Sequence, residues 1–248
     1  MPETRLSVEL LAHTPDPLAL IYAAFRQCYH AGFVADMWPR LVAGEITAQK
    51  QAEFVARILD SGHESPIEHV SFTFAVAGVS RALSHQLVRH RIASYSQQSQ
   101  RYVDAAGFAY VLPPQIAAIP EARARYEAAM EQAAAAYTEL QALLTRHGRG
   151  DKANEDARFV LPNACETKVV VTMNCRSLLH FFELRCCTRA QWEIQAMALA
   201  MLRLCQEALP VIFAGAGARC ERLGYCPESA RFACGRYPRL EQIASISS

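Results

Sequence analysis

The chain has 248 residues, 52% of them apolar, enough for one compact domain that buries roughly 70–75% of the surface its unfolded form exposes. Twenty-five Lys plus Arg stand against twenty-four Asp plus Glu, and a net charge of +1 excludes a global field of the kind that marks a dedicated nucleic-acid or membrane binder. Any specialisation of charge is local.

In chain order, apolar residues at mixed three and four spacing predict helices over 18–26 and 48–59, with Gly62 as the residue that stops the second. Residues 71–76 alternate large apolar groups with smaller ones, the period of a strand with one face in the core, and Gly78 is expected to end it. Ser80 is then placed to cap a helix through Leu83 and Gln86 towards Arg89. The run from Ile92 onwards is poor in helix formers and reads as extended. After the loop marked by Pro113, Pro114 and Pro120, residues 121–145 have the composition of a long helix, with Gly148 just beyond its end. The consecutive valines of 167–172 predict a second strand, Ser177 is read as opening the next helix, and 191–208 as a further long one. Strands and helices mix without a βαβ rhythm or an internal repeat, so the fold class expected is α+β: a single domain over 1–248, with 218–248 as a Cys-containing tail.

The amino terminus places acids early and lacks an apolar signal core, and no stretch reaches ~18 apolar residues, which predicts a cytoplasmic protein that neither enters nor anchors to a membrane. Nine cysteines, an odd number without a secretion signal, argue against a disulfide framework. In the tail, Cys220-x5-Cys226-x7-Cys234 leaves three alternatives open: reduced packing thiols, a structural metal completed by Cys186, Cys187 or a histidine, or a redox role. The segment from Gly215 to Cys220 ends in Cys where a dinucleotide fingerprint needs Gly, and no βαβ unit follows, so no Rossmann site is read there.

Three polar clusters carry the chemistry. The densest runs from Gln86 to Tyr102, in which Gln86, Arg89 and His90 would share one face of a helix. Arginine forks match phosphate, Gln and Ser sort donors from acceptors on a base edge, and His adds a group that titrates near neutrality, together a set suited to nucleotides. A solvated basic helix end is the plain alternative. In the second cluster, Gly62 to His69, Ser65 and Glu68 have capping-box spacing, while the order His-Glu-x-x-x-Glu-His differs from the zincin pattern, so no metal is assigned. The third runs from Asn174 to Arg185, with Arg176 and His180 one helical turn apart near a helix start, where unpaired N–H groups favour anions. Ion pairing of these arginines with Glu183 or Glu193 is the structural alternative. Basic and aromatic groups near Arg89, Tyr95 and Tyr102 also leave a nucleic-acid-binding module as a rival reading.

Arg89-His90-Arg91, seven residues, then Ser99 resembles the signature of the flavin-dependent thymidylate synthases. The flanking blocks agree: His63-Glu64-Ser65-Pro66-x-Glu68-His69 upstream, and Asn174-x-Arg176-Ser177-Leu178-x-His180-Phe181-x-x-Leu184-Arg185 followed by Ala190 to Gln195 downstream. The likeness spans about residues 20 to 210, and the segment after Gly217 matches poorly. What the resemblance implies is a central, mostly antiparallel sheet with long packed helices, assembled as a homotetramer whose sites form between subunits. It implies methylation of dUMP with methylenetetrahydrofolate as carbon donor, FAD as cofactor and NADPH as reductant. It places dUMP against Gln86, Leu87, Val88, Arg89, Gln97, Gln98, Ser99, Gln100, Arg101 and Arg158, with Arg185 polarising the uracil ring as the catalytic group. FAD would meet Ser65, Arg89, His90, Arg91, Gln97, Asn174, Cys175, Arg176 and His180, with His63 and Glu68 close by. Some members carry Glu at the position of Gln97 and Asn at that of His180, which implies retained roles with altered hydrogen-bond polarity. Ser99 reads as a ligand rather than a nucleophile, since no base and orienting carboxylate can be assigned to it.

Overall fold

A computed structural model describes residues 1–244; residues 245–248, the end of the expected tail, lie outside the described residues. The architecture is mixed α and β. Four strands, β1 (Ser7–His13), β2 (Ser71–Ser80), β3 (Ser94–Gln97) and β4 (Glu166–Asn174), form one sheet in the order β1-β2-β4-β3. All neighbours run antiparallel: the Thr14 N–H meets the Ser71 carbonyl, the Thr73 and Thr172 hydroxyls meet at 2.9 Å, and the Gln98 N–H meets the Lys168 carbonyl. Among the described residues no helix is long and apolar enough to cross a membrane.

The chain divides into two compact units interleaved along the sequence. The first comprises Met1–Ser7, Ala75–Arg89 and Tyr95–Val170. Its core gathers Phe108, Tyr110, Leu112, Met130 and Cys165, over which the 25-residue helix Pro120–Leu144 lies. Tyr137, fully buried on that helix, sends its hydroxyl to Asp104 and Asn154 at 3.2 and 3.3 Å, so a large ring enters the core with its polar tip satisfied.

The second unit comprises Val8–Phe74, His90–Ser94 and Val171–Ser248, and its helices Pro17–Tyr29 and Ala48–Asp60 pack on each other. Cys175–Arg185 packs on Trp192–Ala208, with Phe72, Phe182 and Phe213 meeting edge to face. Burying each such aromatic side chain is worth about 1.5–3 kcal/mol.

Several expectations hold. The Ser80 hydroxyl accepts from the Leu83 N–H at 3.0 Å, Gly62 follows the Ala48–Asp60 helix with φ of 84°, and Gln191 caps Trp192–Ala208 through its side-chain oxygen. Others change. Gly78 does not end its strand: β2 continues to Ser80, and Gly78 takes φ of 70° because a Cβ there would lie 1.8 Å from the Arg5 carbonyl oxygen. Ser177 does not open its helix; Cys175 does, and the Asn174 side chain caps it by accepting from the Ser177 N–H at 2.8 Å. The Ser65–Glu68 capping box does not form, because Ser65–His69 is a short 3-10 turn flowing straight into β2. β1 has no sequence counterpart. Its half-buried residues alternate only as far as Leu10, and Leu11 beside it is exposed.

Candidate active site

The basic run lies beyond its helix, not on it. Arg81–Leu87 stops before Arg89, so Gln86, Arg89 and His90 do not share a helical face. The Tyr95 hydroxyl donates to the Leu87 carbonyl at 2.9 Å and closes the loop that carries Val88 to Ser94; burial pushes this phenol up to about 12. Val88 and Arg89 are exposed, while the Leu87 side chain is fully buried.

In the first unit the polar residues after β3 return along β4. The Gln97 amide donates to the buried Thr167 hydroxyl at 3.1 Å, and the Gln100 amide reaches Cys165 Sγ at 3.7 Å. The Ser99 hydroxyl accepts from the Arg101 N–H at 3.2 Å, folding this stretch into a tight turn. Two guanidiniums then converge on one residue that the sequence did not mark. The Glu155 carboxylate pairs with Arg101 at 3.3 Å, and its backbone carbonyl accepts from Arg158 Nε at 3.1 Å. Glu155 therefore fixes the direction of both forks. Its only sequence signal is the acidic pair Glu155-Asp156 just before Arg158.

In the second unit, Arg185 closes the Cys175–Arg185 helix and its Nε–H donates to His90 Nε2 at 3.0 Å. An accepting Nε2 places the proton of neutral His90 on Nδ1. The imidazole is held down at about 4, first by burial and then by the charges of Arg185 and His180. Burial also lowers Arg185. The His90 ring packs on Phe181 at 4.8 Å and faces His180 at 6.3 Å. A permanently charged fork is thus aimed by a neutral, wedged imidazole, and its hydrogen-bond partner here is not a carboxylate.

Arg176 and His180 stand on the first turns of the same helix, both exposed, while the Cys175 thiol beside them is fully buried and pushed up to about 12. Arg176 is ion-paired, as the structural alternative has it, but with the acids of the Gly62–His69 segment and not with Glu183. Arg176 meets Glu68 at 2.5 Å and Glu64 at 3.7 Å, which raises its own proton affinity, while Glu183 pairs with Arg219 and Arg222. The acids of the Gly62–His69 segment are thereby assigned to orienting a guanidinium. The Tyr29 hydroxyl meets His63 Nδ1 at 2.7 Å, and His63 Nε2 meets the Ser65 hydroxyl at 3.1 Å. Tyr29 was not singled out in the sequence, since it is one exposed aromatic at a helix end. Arg91 is exposed in the loop after His90.

Among the described residues no group of three or more His, Cys, Asp or Glu is arranged to hold a metal ion.

The model of the thymidylate synthase complementing protein family matches residues 9–211. A flavin-dependent thymidylate synthase of Nitratidesulfovibrio vulgaris is 70% identical over 244 residues, covering 98% of this chain and 100% of the relative. One from Geobacter sulfurreducens is 48% identical, covering 96% and 97%. Among solved structures, a UMP/dUMP methylase from Streptomyces cacaoi bound with 5-Br dUMP superposes with a TM-score of 0.70 at 24% identity, over 86% of this chain and 94% of that one. Thymidylate synthase X from Helicobacter pylori, solved with FAD and dUMP, gives a TM-score of 0.60 at 24% identity, over 84% and 97%. The two structures share the fold, and the relatives share the sequence from end to end. The chain therefore belongs to the flavin-dependent thymidylate synthase family and is an enzyme of that kind.

Proposed function

We propose that the protein methylates dUMP to dTMP, taking its carbon from methylenetetrahydrofolate and its electrons from FAD that NADPH reduces. The observation that carries this reading is the Arg185–His90 pair. A guanidinium balanced by a carboxylate would present little net charge to a ligand, whereas one seated on a neutral imidazole keeps it. In a half-buried setting that charge acts strongly on electron density pushed onto a pyrimidine carbonyl.

Arg101 and Arg158, pre-aimed by Glu155, are assigned to the dUMP phosphate, with Ser99 and the Gln98 and Gln100 amides beside them. Gln86, Leu87, Val88, Arg89 and Gln97 complete the nucleotide's surroundings, Leu87 through its backbone. The donor set of the second unit suits an anionic dinucleotide: Arg176, His180 and Asn174 cluster at the start of an 11-residue helix, and Ser65 is held by His63. Arg91, His90 and the Cys175 backbone are assigned to the same ligand, as are Arg89 and Gln97. When bound, FAD supplies hydride and relays the carbon unit, and the chain's own residues bind, orient and polarise.

The same reading makes 1–248 one synthase domain working in the cytoplasm as a homotetramer with sites between subunits. Ile92, Tyr102 and Phe159 support this: each directly follows a site arginine, and they are 77%, 79% and 82% exposed. Large apolar groups clustered in sequence with charged ligands are what a neighbouring subunit would cover.

The test is to purify the chain, record an oxidised-flavin spectrum, add dUMP, and assay dTMP with folate and NADPH. The expected result is a flavin band that shifts with dUMP, followed by turnover. A colourless protein that binds oligonucleotides in a strongly salt-dependent way would overturn the proposal.

A further inference from the structure

Five of the nine cysteines line one cavity of about 280 Å³ in the second unit: Cys186 and Cys187 just past the Cys175–Arg185 helix, Cys220 on the short Arg219–Leu223 helix, and Cys226 and Cys234 in the tail. None is in a disulfide. They differ from Cys175 and Cys205, which are sealed in the core as packing groups. The cavity thiols also differ from one another. Burial pushes Cys186 up to about 12 and raises Cys220, so both stay protonated. Cys234 is exposed, and the Thr188 hydroxyl and the Arg236 backbone N–H both hydrogen-bond its sulfur, with the Arg236 charge nearby; together they lower its proton affinity. One exposed thiol thus shares the cavity with two that burial keeps protonated.

We propose that the cavity is a redox-modification site for a hydroperoxide, with Cys234 the thiol oxidised first and Cys187 the thiol that resolves it into a disulfide. Cys187 is the resolving partner because, of the other four cavity thiols, it alone is not buried, and it lines the same cavity as Cys234. Residues 227–238 form neither helix nor strand, so the tail can make the small shift that disulfide geometry requires. In the first step the Cys234 thiolate attacks one peroxide oxygen; an S–O bond forms, the O–O bond breaks, and hydroxide leaves with the thiol's proton as water, or as an alcohol from an organic peroxide. In the second, the Cys187 sulfur attacks the sulfenic sulfur; an S–S bond forms, the S–O bond breaks, and a water leaves with the Cys187 proton. Two thiols lose two electrons and the peroxide gains them.

The test uses the full chain, reduced and then exposed to hydrogen peroxide, with thiols counted and disulfides mapped by mass spectrometry. Expected are a Cys187–Cys234 disulfide reversed by dithiothreitol, a dimedone adduct on Cys234 in Cys187→Ser, and oxidation about tenfold or more slower in Cys234→Ser and in Cys234→Ala. Oxidation of the Cys234 variants at the parental rate, or a first disulfide without Cys234, would overturn the proposal. So would one zinc ion per purified chain that is lost in Cys234→Ser, since the thiols would then be metal ligands. The outcome does not depend on the synthase assignment.

Discussion

Arg185 Nε donates to His90 Nε2 at 3.0 Å, joining residues 95 positions apart and fixing the direction of the one guanidinium assigned to polarise the substrate. If that fork acts on charge that develops during reaction, Arg185→Ala lowers kcat by about 100-fold or more while changing the KM for dUMP little. Arg185→Lys does not restore the rate, because an ammonium lacks the planar fork that His90 aligns. Steady-state kinetics on both variants, with circular dichroism to establish folding, decide the matter; equal loss in KM and none in kcat would assign Arg185 to ground-state binding alone.

His90 also makes stability depend on acidity. Folded, it stays neutral down to about pH 4, whereas an unfolded chain takes up the proton near 6.5. Between those values unfolding binds a proton, so the contribution is fully present above about 6.5 and is lost as pH falls towards about 4. Urea midpoints measured across this window are expected to fall more steeply for the parent than for His90→Asn, and parallel slopes would contradict the assignment.

Glu155 is expected to matter to nucleotide binding without touching nucleotide. Arg101→Ala removes a charged hydrogen bond worth about 1.5–3 kcal/mol and weakens dUMP while flavin stays in place. Glu155→Ala leaves the Arg101 fork present but unaimed, while the backbone carbonyl at 155 still holds Arg158; because the Arg101–Glu155 pair is half exposed, the cost is smaller, about fivefold in dUMP affinity. Calorimetric titration separates the two, and a Glu155→Ala protein that binds dUMP more tightly would show the carboxylate to be a competitor of the phosphate instead.

The contact of Tyr29 with His63, and of His63 with Ser65, predicts that Tyr29→Phe and Ser65→Ala each raise the flavin dissociation constant about three- to tenfold. Since they act through one imidazole, the double variant is expected to lose less than the sum. Strict additivity in fluorescence titrations would mean that the two side chains act separately.

Local grammar was readable where one short segment settles it. The alternation of 71–76 and the Ser80 cap each depend on a few neighbouring residues, and both appear in the structure. Where two segments decide, the sequence offered no arbiter. Asn174 and Ser177 are both good capping residues, and the tie is broken by the extended backbone of Asn174 at the end of β4, where its N–H partners are fixed. Gly78 looks like punctuation until the Arg5 carbonyl is seen against it. The site shows the same divide. Arginine, histidine and serine at fixed spacing were visible, but their orienting partners lie far off in sequence: Glu68 is 108 residues from Arg176, and Glu155 is 54 from Arg101. Carboxylates of that kind carry no local signature.

The two units each use three separate stretches of chain, and four of the five changeovers fall inside strands, one in each of β1, β2, β3 and β4. During synthesis on the ribosome, the first cannot close until Val170 has emerged, and the second must wait for the carboxyl-terminal helices. A nascent chain halted midway therefore owns neither finished piece, and no single proteolytic cut releases either one free of segments of the other.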